Sequence, residues 1–238
     1  MLQMMNDELS QILHQNGASL VGFANLQSLV DGDMIFGVSV ATAVPAHVIQ
    51  SIQNGPTLEY YKEYFRLNQL LNRLVTLGAD FLAQRGYKAF AQTTDAVVES
   101  DDYRTVLPHK TVATRAGLGW IGKCALLVTK EYGSAVRLSS LITNAPLECA
   151  VPINDSQCGN CRACTSACPG QAVLGKSWNV NIDRNEFFNP DLCRKAAREL
   201  AAKHIHKEIT LCGKCIQVCP YTQNYLRKET VPPHSEQL

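Results

Sequence analysis

Cysteine spacing is the strongest chemical signal in this sequence of 238 residues. A first group ends in a Cys-Pro pair and reads Cys158-x2-Cys161-x2-Cys164-x3-Cys168-Pro169. This is the bacterial spacing for a 4Fe–4S cluster, in which the fourth cysteine ligates the other of two clusters. Three thiolates on a tight loop can reach three irons of one cubane, while the fourth lies beyond a turn. The group therefore predicts ligands for two clusters.

A second group, Cys212-x2-Cys215-x3-Cys219, also ends in Cys-Pro but has Ile209 where a further cysteine would stand. Cys193 fills that vacancy if a helix returns it to the loop. Eight thiolates then serve two clusters, and no member of either motif is left over. We predict that Cys158, Cys161, Cys164 and Cys219 bind one cluster and that Cys168, Cys193, Cys212 and Cys215 bind the other.

Zinc sites and a disulfide framework are the two alternatives for these cysteines. Paired CxxC motifs also bind zinc, but two tetrahedral sites do not require two CxxCxxxCP elements in this order. Secreted disulfide proteins are short chains with poor cores. Here all ten cysteines follow a stretch of more than 120 residues without any, and eight fall between Cys158 and Cys219. This distribution favours metal over disulfides.

A glycine-rich stretch, residues 117–122, matches the G-x-G-x-x-G pattern literally. A dinucleotide site needs a strand before this pattern and a helix after it, whereas the order predicted here is reversed. The loop is either a cofactor contact flanked by Arg115 and Lys123, or a tight turn with Trp120 in the core, which we favour slightly. Of the two remaining cysteines, Cys149 is expected to be a small buried side chain. The candidate cofactor-binding residues are Arg115, Gly117, Leu118, Gly119, Trp120, Gly122, Lys123 and Cys124.

The elements that position these residues follow from hydrophobic periodicity. We predict an α/β (α+β) fold with a cofactor-binding domain over residues 1–148 and a double-cluster domain over residues 149–238. Helices are predicted over 6–15, 57–85, 111–115 and 190–204, and strands over 20–26, 34–44, 88–93, 125–129 and 135–143. The last eighteen residues are predicted to be loosely ordered.

Composition excludes several classes of protein. Hydrophobic residues make up 46% and charged residues 18% of the chain, as in ordinary globular proteins. A net charge of +1 gives no electrostatic argument for a dedicated nucleic-acid binder. The longest weakly polar run is too short for a membrane span, and the first residues lack a cationic segment followed by an apolar one. We therefore expect a cytoplasmic protein with no membrane partner.

The stretch from Lys110 to Lys123 resembles the central motif of the epoxyqueuosine reductase family. Tyr132-Gly133, Arg137-Leu138 and the stretch 141–148 follow in the family's order, and so do both cysteine groups. The resemblance extends over about residues 6–225. It implies a nitroreductase-like half that binds cobalamin, and a ferredoxin-like half whose two 4Fe–4S clusters pass electrons to cobalt, as in the related corrinoid-dependent reductive dehalogenases. A flavin is the alternative cofactor.

The sequence departs from this family at several points. The family's substrate is a modified base in tRNA, bound with the help of a C-terminal helical-repeat domain that this sequence lacks, which argues against a tRNA substrate. The family's proton-donating aspartate aligns with Tyr103, beside Asp102, and a family glutamate aligns with His109. Asp102, Tyr103 and His109 are therefore the candidates for a general acid. Cys124 replaces a residue that is usually polar.

The leading functional hypothesis is an iron–sulfur oxidoreductase that passes electrons through two clusters to a cofactor over the glycine loop and reduces a substrate. The expected partners are an electron donor of the ferredoxin or flavodoxin type and either a small molecule or a corrinoid protein. Two alternatives are an electron-transfer or redox-sensing protein without its own substrate, and an activator that reduces the corrinoid of a partner protein.

Overall fold

The computed structural model describes residues 2–230, in which a four-stranded sheet is followed by short helices that carry the cysteines. The helices are α1 (Leu2–Gln15), α2 (Ala46–Ser51), α3 (Leu58–Ala83), α4 (His109–Arg115), α5 (Ala163–Ala167), α6 (Arg184–Phe187), α7 (Pro190–Ile205), α8 (Lys214–Gln217) and α9 (Pro220–Thr230). The strands are β1 (Leu20–Asn25), β2 (Phe36–Ala43), β3 (Ala89–Ala91), β4 (Trp120–Ile121), β5 (Leu127–Val128) and β6 (Val136–Thr143). These elements confirm the predicted mixture of helices and strands.

The main sheet has the order β1-β2-β6-β3, and all of its neighbouring strands are antiparallel. Its centre is the pair β2–β6, whose register runs from Phe36 opposite Thr143 to Ala43 opposite Val136. Small and β-branched residues fill β2, so six of its eight residues can be buried between layers. The remaining strands, β4 and β5, form a separate two-stranded hairpin that connects α4 to the sheet.

Helices cover both faces of the main sheet. On one face α1 and α3 pack through Leu9, Leu71 and Leu141, all at most 2% exposed. The start of α3 is fixed by Thr57, whose side chain accepts a hydrogen bond from the amide of Tyr60. On the other face α4 packs through an apolar cluster that contains Leu26, Leu107 and Val112.

The cysteine-bearing segment has a different construction. Helices α5 and α8 are five and four residues long, and neither has a buried residue. The longer α7 begins at a capping residue, Asn189, and its inner face joins an apolar cluster that also includes Val44, Tyr60 and Leu226. This cluster thus contains residues from both sides of residue 148. The domain boundary placed at that residue stays a prediction.

The C-terminal part of the chain requires one correction. Residues 220–230 form α9 instead of the loosely ordered segment that we predicted. The physical reason is burial at long range, because Tyr225 lies in the same apolar cluster and donates a hydrogen bond to the carbonyl of Val44. The rest of the predicted loose tail, residues 231–238, lies outside the described residues. Among the described helices, none is both long and apolar enough to span a membrane.

Candidate functional site

Five of the eight grouped cysteines line one cavity of about 140 Å³. They come from the loop before α5, from α5 itself and from the α8 region, and α5 packs against α8. The five are Cys158, Cys161, Cys164, Cys215 and Cys219, and Cys124 lines the same cavity. We refer to this space as the cysteine cavity. A set of soft thiolate donors in one compact space is the chemistry that an iron–sulfur cluster requires.

The other cysteines lie together beside this cavity. Burial, with a smaller contribution from the nearby Cys168 and Cys212 thiols, raises the pKa of the Cys193 thiol to about 11. Cys168 also accepts a hydrogen bond at Sγ from the amide of Ala172, at 3.3 Å. The helix α7 therefore returns Cys193 to the second group, as the spacing argument required. The individual assignment of ligands to two clusters, above all that of Cys215, stays a prediction.

Lys123 connects the glycine loop to the first cysteine loop. Its ammonium donates hydrogen bonds to the carbonyls of Gly159, at 2.8 Å, and Cys161, at 3.0 Å. Lys123 is only 6% exposed, and no carboxylate of the described residues forms an ion pair with it. A buried cation is costly without a counter-charge. A cluster ligated by four thiolates would supply negative charge next to this lysine.

The rest of the glycine loop is a tight turn. A Cβ on Gly119 would lie 2.2 Å from the carbonyl oxygen of Val128, so this glycine lets β4 approach β5. Trp120 is fully buried, and its Nε1 has no hydrogen-bond partner among the described residues. The apolar cluster that contains Trp120 also contacts Cys158 and Cys219.

The predicted cofactor-binding residues therefore separate into two groups. Gly122, Lys123 and Cys124 lie at the cysteine cavity. The others line neither this cavity nor the larger one described below; they are Arg115, Gly117, Leu118, Gly119 and Trp120. Their role as cofactor contacts stays a prediction, and what the structure shows for Gly119 and Trp120 is packing.

A second cavity, of about 630 Å³, lies on the other side of the β4–β5 hairpin. Its size falls in the range of small-molecule and cofactor sites. Apolar and aromatic side chains form much of its wall, including Ile121, Leu127, Trp178 and Phe187. Its charged lining residues are Arg104, Lys110, Arg137 and Arg184, together with the neutral polar residues Tyr60, Tyr103, His109 and Ser134. We refer to this space as the large cavity.

The two cavities share a wall that is one chain thick. At four places along the chain, one residue lines the large cavity and its immediate neighbour lines the cysteine cavity. These pairs, with the large-cavity residue first, are Ile121 and Gly122, Ala125 and Cys124, Leu127 and Val128, and Ile216 and Cys215. A group bound in the large cavity would therefore lie next to a cluster bound in the cysteine cavity.

Burial and neighbouring cations lower the pKa values of two groups in the large cavity, His109 and Lys110. Burial, aided by the Arg137 guanidinium, lowers the pKa of His109 to about 4. Its Nδ1 lies 2.8 Å from Ser140 Oγ, which in turn donates to Gln92 Oε1. The Ser140 oxygen therefore accepts from Nδ1–H, which leaves Nε2 of the neutral ring as an acceptor. Burial likewise lowers the pKa of Lys110 to about 8, and Arg184 acts in the same direction.

The three general-acid candidates occupy different positions. Tyr103 and His109 line the large cavity, but the neutral His109 offers an acceptor and not an acidic proton. Asp102 lies outside it and is exposed, and a hydrogen bond from Ser100 together with Arg104 lowers the pKa of its carboxyl. Of these three residues, Tyr103 combines a place in the cavity with an O–H donor.

Backbone strain also concentrates at the large cavity. Among the described residues, four that are not glycine have positive φ angles, and two of these, Tyr103 and Ala125, both at 60°, line the cavity. Such conformations are unfavourable for side chains with a Cβ and tend to persist at functional sites.

The sequence argument missed all four cations of the large cavity as site residues. Lys110 and Arg137 were part of the motifs that carry the resemblance, but nothing in their spacing singled them out. They come from α4 and β6, and Arg184 comes from α6, so only the tertiary fold brings them together.

Comparison with known proteins agrees with this geometry. Residues 157–222 match the family described as a 4Fe-4S double cluster binding domain. The epoxyqueuosine reductase of Listeria monocytogenes is 37% identical over 126 residues, which cover 50% of this chain and 31% of that protein. The enzyme of Aliivibrio fischeri is 31% identical over 169 residues, covering 66% of this chain and 43% of that protein. The chain is similar to epoxyqueuosine reductases. It matches less than half the length of each of these two relatives.

Solved structures extend the similarity to almost the whole chain. A crystal structure of epoxyqueuosine reductase with a modified tRNA-Tyr stem loop has a TM-score of 0.63 and 20% identity, and covers 94% of this chain and 67% of that one. A catabolic reductive dehalogenase in complex with 3-bromo-4-hydroxybenzoic acid has a TM-score of 0.72 and 16% identity, and covers 91% of this chain and 31% of that one. At these identities the two structures show a shared fold.

Proposed function

We propose that this protein is an iron–sulfur oxidoreductase in which two 4Fe–4S clusters deliver electrons to a redox group in the large cavity, where a substrate is reduced. The observation that carries this proposal is the shared wall between the two cavities. Electrons from the cysteine cavity need to cross only one thickness of chain, for example at Cys124 and Ala125. A plain electron carrier would have no need for a cavity of about 630 Å³ at this place.

The residues present fit both kinds of group. Thiols are the donor set of the cysteine cavity, and the match to a double-cluster domain supports two clusters. In the large cavity, Ile121, Trp178 and Phe187 offer apolar surface to a flat conjugated ring. Cobalamin is the group we propose, because the similarity to epoxyqueuosine reductases and to the dehalogenase fold supports it, and a flavin is the alternative. The bound group would supply the electron-transfer chemistry at the substrate.

The chain's own residues would bind the substrate, exclude water and supply protons. The buried Trp178 and Phe187 give the cavity an apolar wall. Tyr103 presents a phenol O–H and is our candidate proton donor, and Lys110 can supply a proton because its pKa lies near 8. His109 Nε2 can accept a hydrogen bond from the substrate, since Nδ1 is directed at Ser140.

Cofactor binding tests this proposal. Protein reconstituted anaerobically with iron and sulfide should bind hydroxocobalamin or a flavin near one equivalent after gel filtration, as measured from visible and EPR spectra. Val136→Trp, which fills the large cavity, should weaken that binding at least about tenfold without loss of iron. The matched control is Val180→Trp, because Val180 is 46% exposed and lies outside the cavity.

Two results would contradict the proposal. If neither compound binds while both clusters are intact, the protein is an electron carrier or a redox sensor without its own substrate. If Val180→Trp weakens binding as much as Val136→Trp does, the cofactor does not occupy the large cavity. Reduction of a partner's corrinoid without any cofactor bound to this chain would instead identify an activator.

A further inference from the structure

The charged side chains that line the large cavity are all cationic. Four cationic side chains line it, Arg104, Lys110, Arg137 and Arg184, and no aspartate or glutamate does so in the described part of the chain. Among these cations, Arg104 alone forms salt bridges with carboxylates of the described residues, Asp102 at 2.8 Å and Asp183 at 2.9 Å, both on exposed side chains outside the lining.

Among the described residues, Lys110 and Arg137 form no ion pair with a carboxylate, while the charge of Arg184 acts on the nearby carboxylates of Asp102 and Asp183. Lys110 donates to the carbonyl of Ala125 at 2.9 Å, and Arg137 donates to Asn68 Oδ1 at 2.8 Å and stacks on a tyrosine ring. Arg184 donates to the backbone carbonyls of Asp102 and Tyr103. These acceptors satisfy N–H groups but carry no formal negative charge, and partly buried cations without a counter-charge favour an anionic partner.

Ser134 gives a second, independent indication of a ligand. It lines the large cavity, is 2% exposed, and its hydroxyl has no hydrogen-bond partner among the described residues. Leaving a buried hydroxyl unpaired costs free energy, and Ser134 is the one of five such groups in the described residues that belongs to the lining of the large cavity. An acceptor on a ligand bound there would complete its hydrogen bonding. A hydroxyl donor beside several cations is a set that suits an oxyanion.

We propose that the large cavity binds the substrate through an anionic group, a phosphate or a carboxylate, held by Lys110, Arg137, Arg184 and the Ser134 hydroxyl. This assignment rests on the proposed function, because it names the class of substrate for the same cavity. It commits to a small molecule, because the chain's net charge of +1 provides no general attraction for a nucleic acid, whereas the cations of the proposed site line a single cavity.

Calorimetry with inorganic phosphate and with acetate, each titrated into the cluster-loaded protein, tests this inference. We expect one binding site per chain for at least one of these anions. Lys110→Gln and Arg137→Gln should each weaken its binding about tenfold or more, since each removes a charge-assisted contact. The matched controls are Lys195→Gln and Arg73→Gln, which remove the same charges from exposed positions outside the cavity and should change binding less than about twofold.

Ser134→Ala separates a loss of anion binding from a loss of folding. It removes a hydroxyl with no partner in the chain, so thermal stability and iron content should not fall, while anion binding should weaken about threefold or more. Unchanged affinity in Ser134→Ala together with Lys110→Gln and Arg137→Gln would overturn the inference, and so would the absence of any anion binding.

Adding the cofactor separates this inference from the proposed function. If phosphate and the cofactor bind together, the cations serve the substrate as we infer. If cofactor binding abolishes the phosphate site and Arg137→Gln weakens the cofactor, the cations hold the cofactor's own phosphate, and the inference is wrong although the proposed function stands. Anion binding without any cofactor binding contradicts the proposed function alone. Displacement of phosphate by an RNA stem loop at lower concentration would overturn the small-molecule assignment.

Discussion

The sheet region and the cysteine segment are stabilised by different means. Between α3 and the sheet, Leu71, Leu74 and Leu141 are at most 2% exposed, so apolar burial holds this region together. In the cysteine segment, α5 and α8 bury no residue at all. Helices of four or five residues are not stable on their own. The comparison indicates that iron ligation takes the place of an apolar core around α5 and α8.

Removing the iron should have the largest effect, because it should destabilise the cysteine segment and leave the sheet region intact. Treatment of the anaerobic holoprotein with an iron chelator should lower amide protection in α5 and α8 about 100-fold or more, because the thiols alone bury little apolar surface. Amides in β2 and β6 should keep their protection, because their packing requires no metal. Hydrogen exchange measured by mass spectrometry reports both regions in one sample.

The untreated holoprotein is the control for this measurement. Equal loss of protection in the sheet and in the cysteine segment would show that the two regions unfold as one unit, and the contrast between them would be wrong. Protection that persists in α5 and α8 after complete loss of iron would show that packing against the rest of the chain is sufficient for these helices.

A single ligand substitution should distinguish the two clusters within the cysteine segment. Cys193→Ala should remove about half of the iron, since it takes one thiolate from the second cluster and none from the first. Iron and sulfide analysis of the anaerobically purified variant measures this directly. Cys149→Ala is the matched control, because Cys149 packs against the apolar core of the sheet and lies outside both cysteine groups, and it should leave the iron content unchanged.

Two other results would contradict this ligand assignment. Full iron content in Cys193→Ala would exclude Cys193 as a ligand. Complete loss of iron would contradict the expectation that Cys193 affects one cluster and leaves the other in place.

The sequence predicted the elements whose signal is local. Periodicity predicted α3 and α7 to within two residues at each end, and the strands β1, β2 and β6 were predicted from runs of apolar and small residues. The signal of the cysteine groups is also local, because within a short loop the spacing determines which thiols can reach the same cluster. Even Cys193 lies near Cys212 and Cys168, although it is nineteen residues before Cys212 in the chain. Most of the stretch from Cys193 to Cys212 is the single helix α7.

The sequence did not predict what depends on distant contacts. Helix α9 reads as a polar tail, and it is ordered by Tyr225 packing near Val44, 181 residues away in the chain. The large cavity draws its cations from α4, β6 and α6, three elements with no common local pattern. The glycine loop allowed two interpretations. The close approach of β5 to Gly119 agrees with the tight turn, and spacing alone does not give that distance.

The smallest effect that we expect concerns the lysine that links the two regions. Lys123→Met removes the buried cation whose ammonium binds the Gly159 and Cys161 carbonyls. A positive charge stabilises the reduced cluster, so its loss should lower the midpoint potential of one cluster. The shift should be on the order of 60 mV, which corresponds to about 1.4 kcal/mol for one electron. A redox titration followed by EPR measures it.

Two further variants separate charge from packing at this position. Lys176→Met removes an exposed lysine that is paired with Glu186 outside both cavities, and solvent screening should keep its shift under about 20 mV. Lys123→Arg keeps the charge and should keep the potential close to that of the unaltered protein. If Lys123→Arg and Lys123→Met lower the potential equally, the lysine acts by holding the loop and not by its charge. The sheet region would then influence the cluster through geometry alone, because Lys123 would no longer count as the counter-charge of the cysteine cavity.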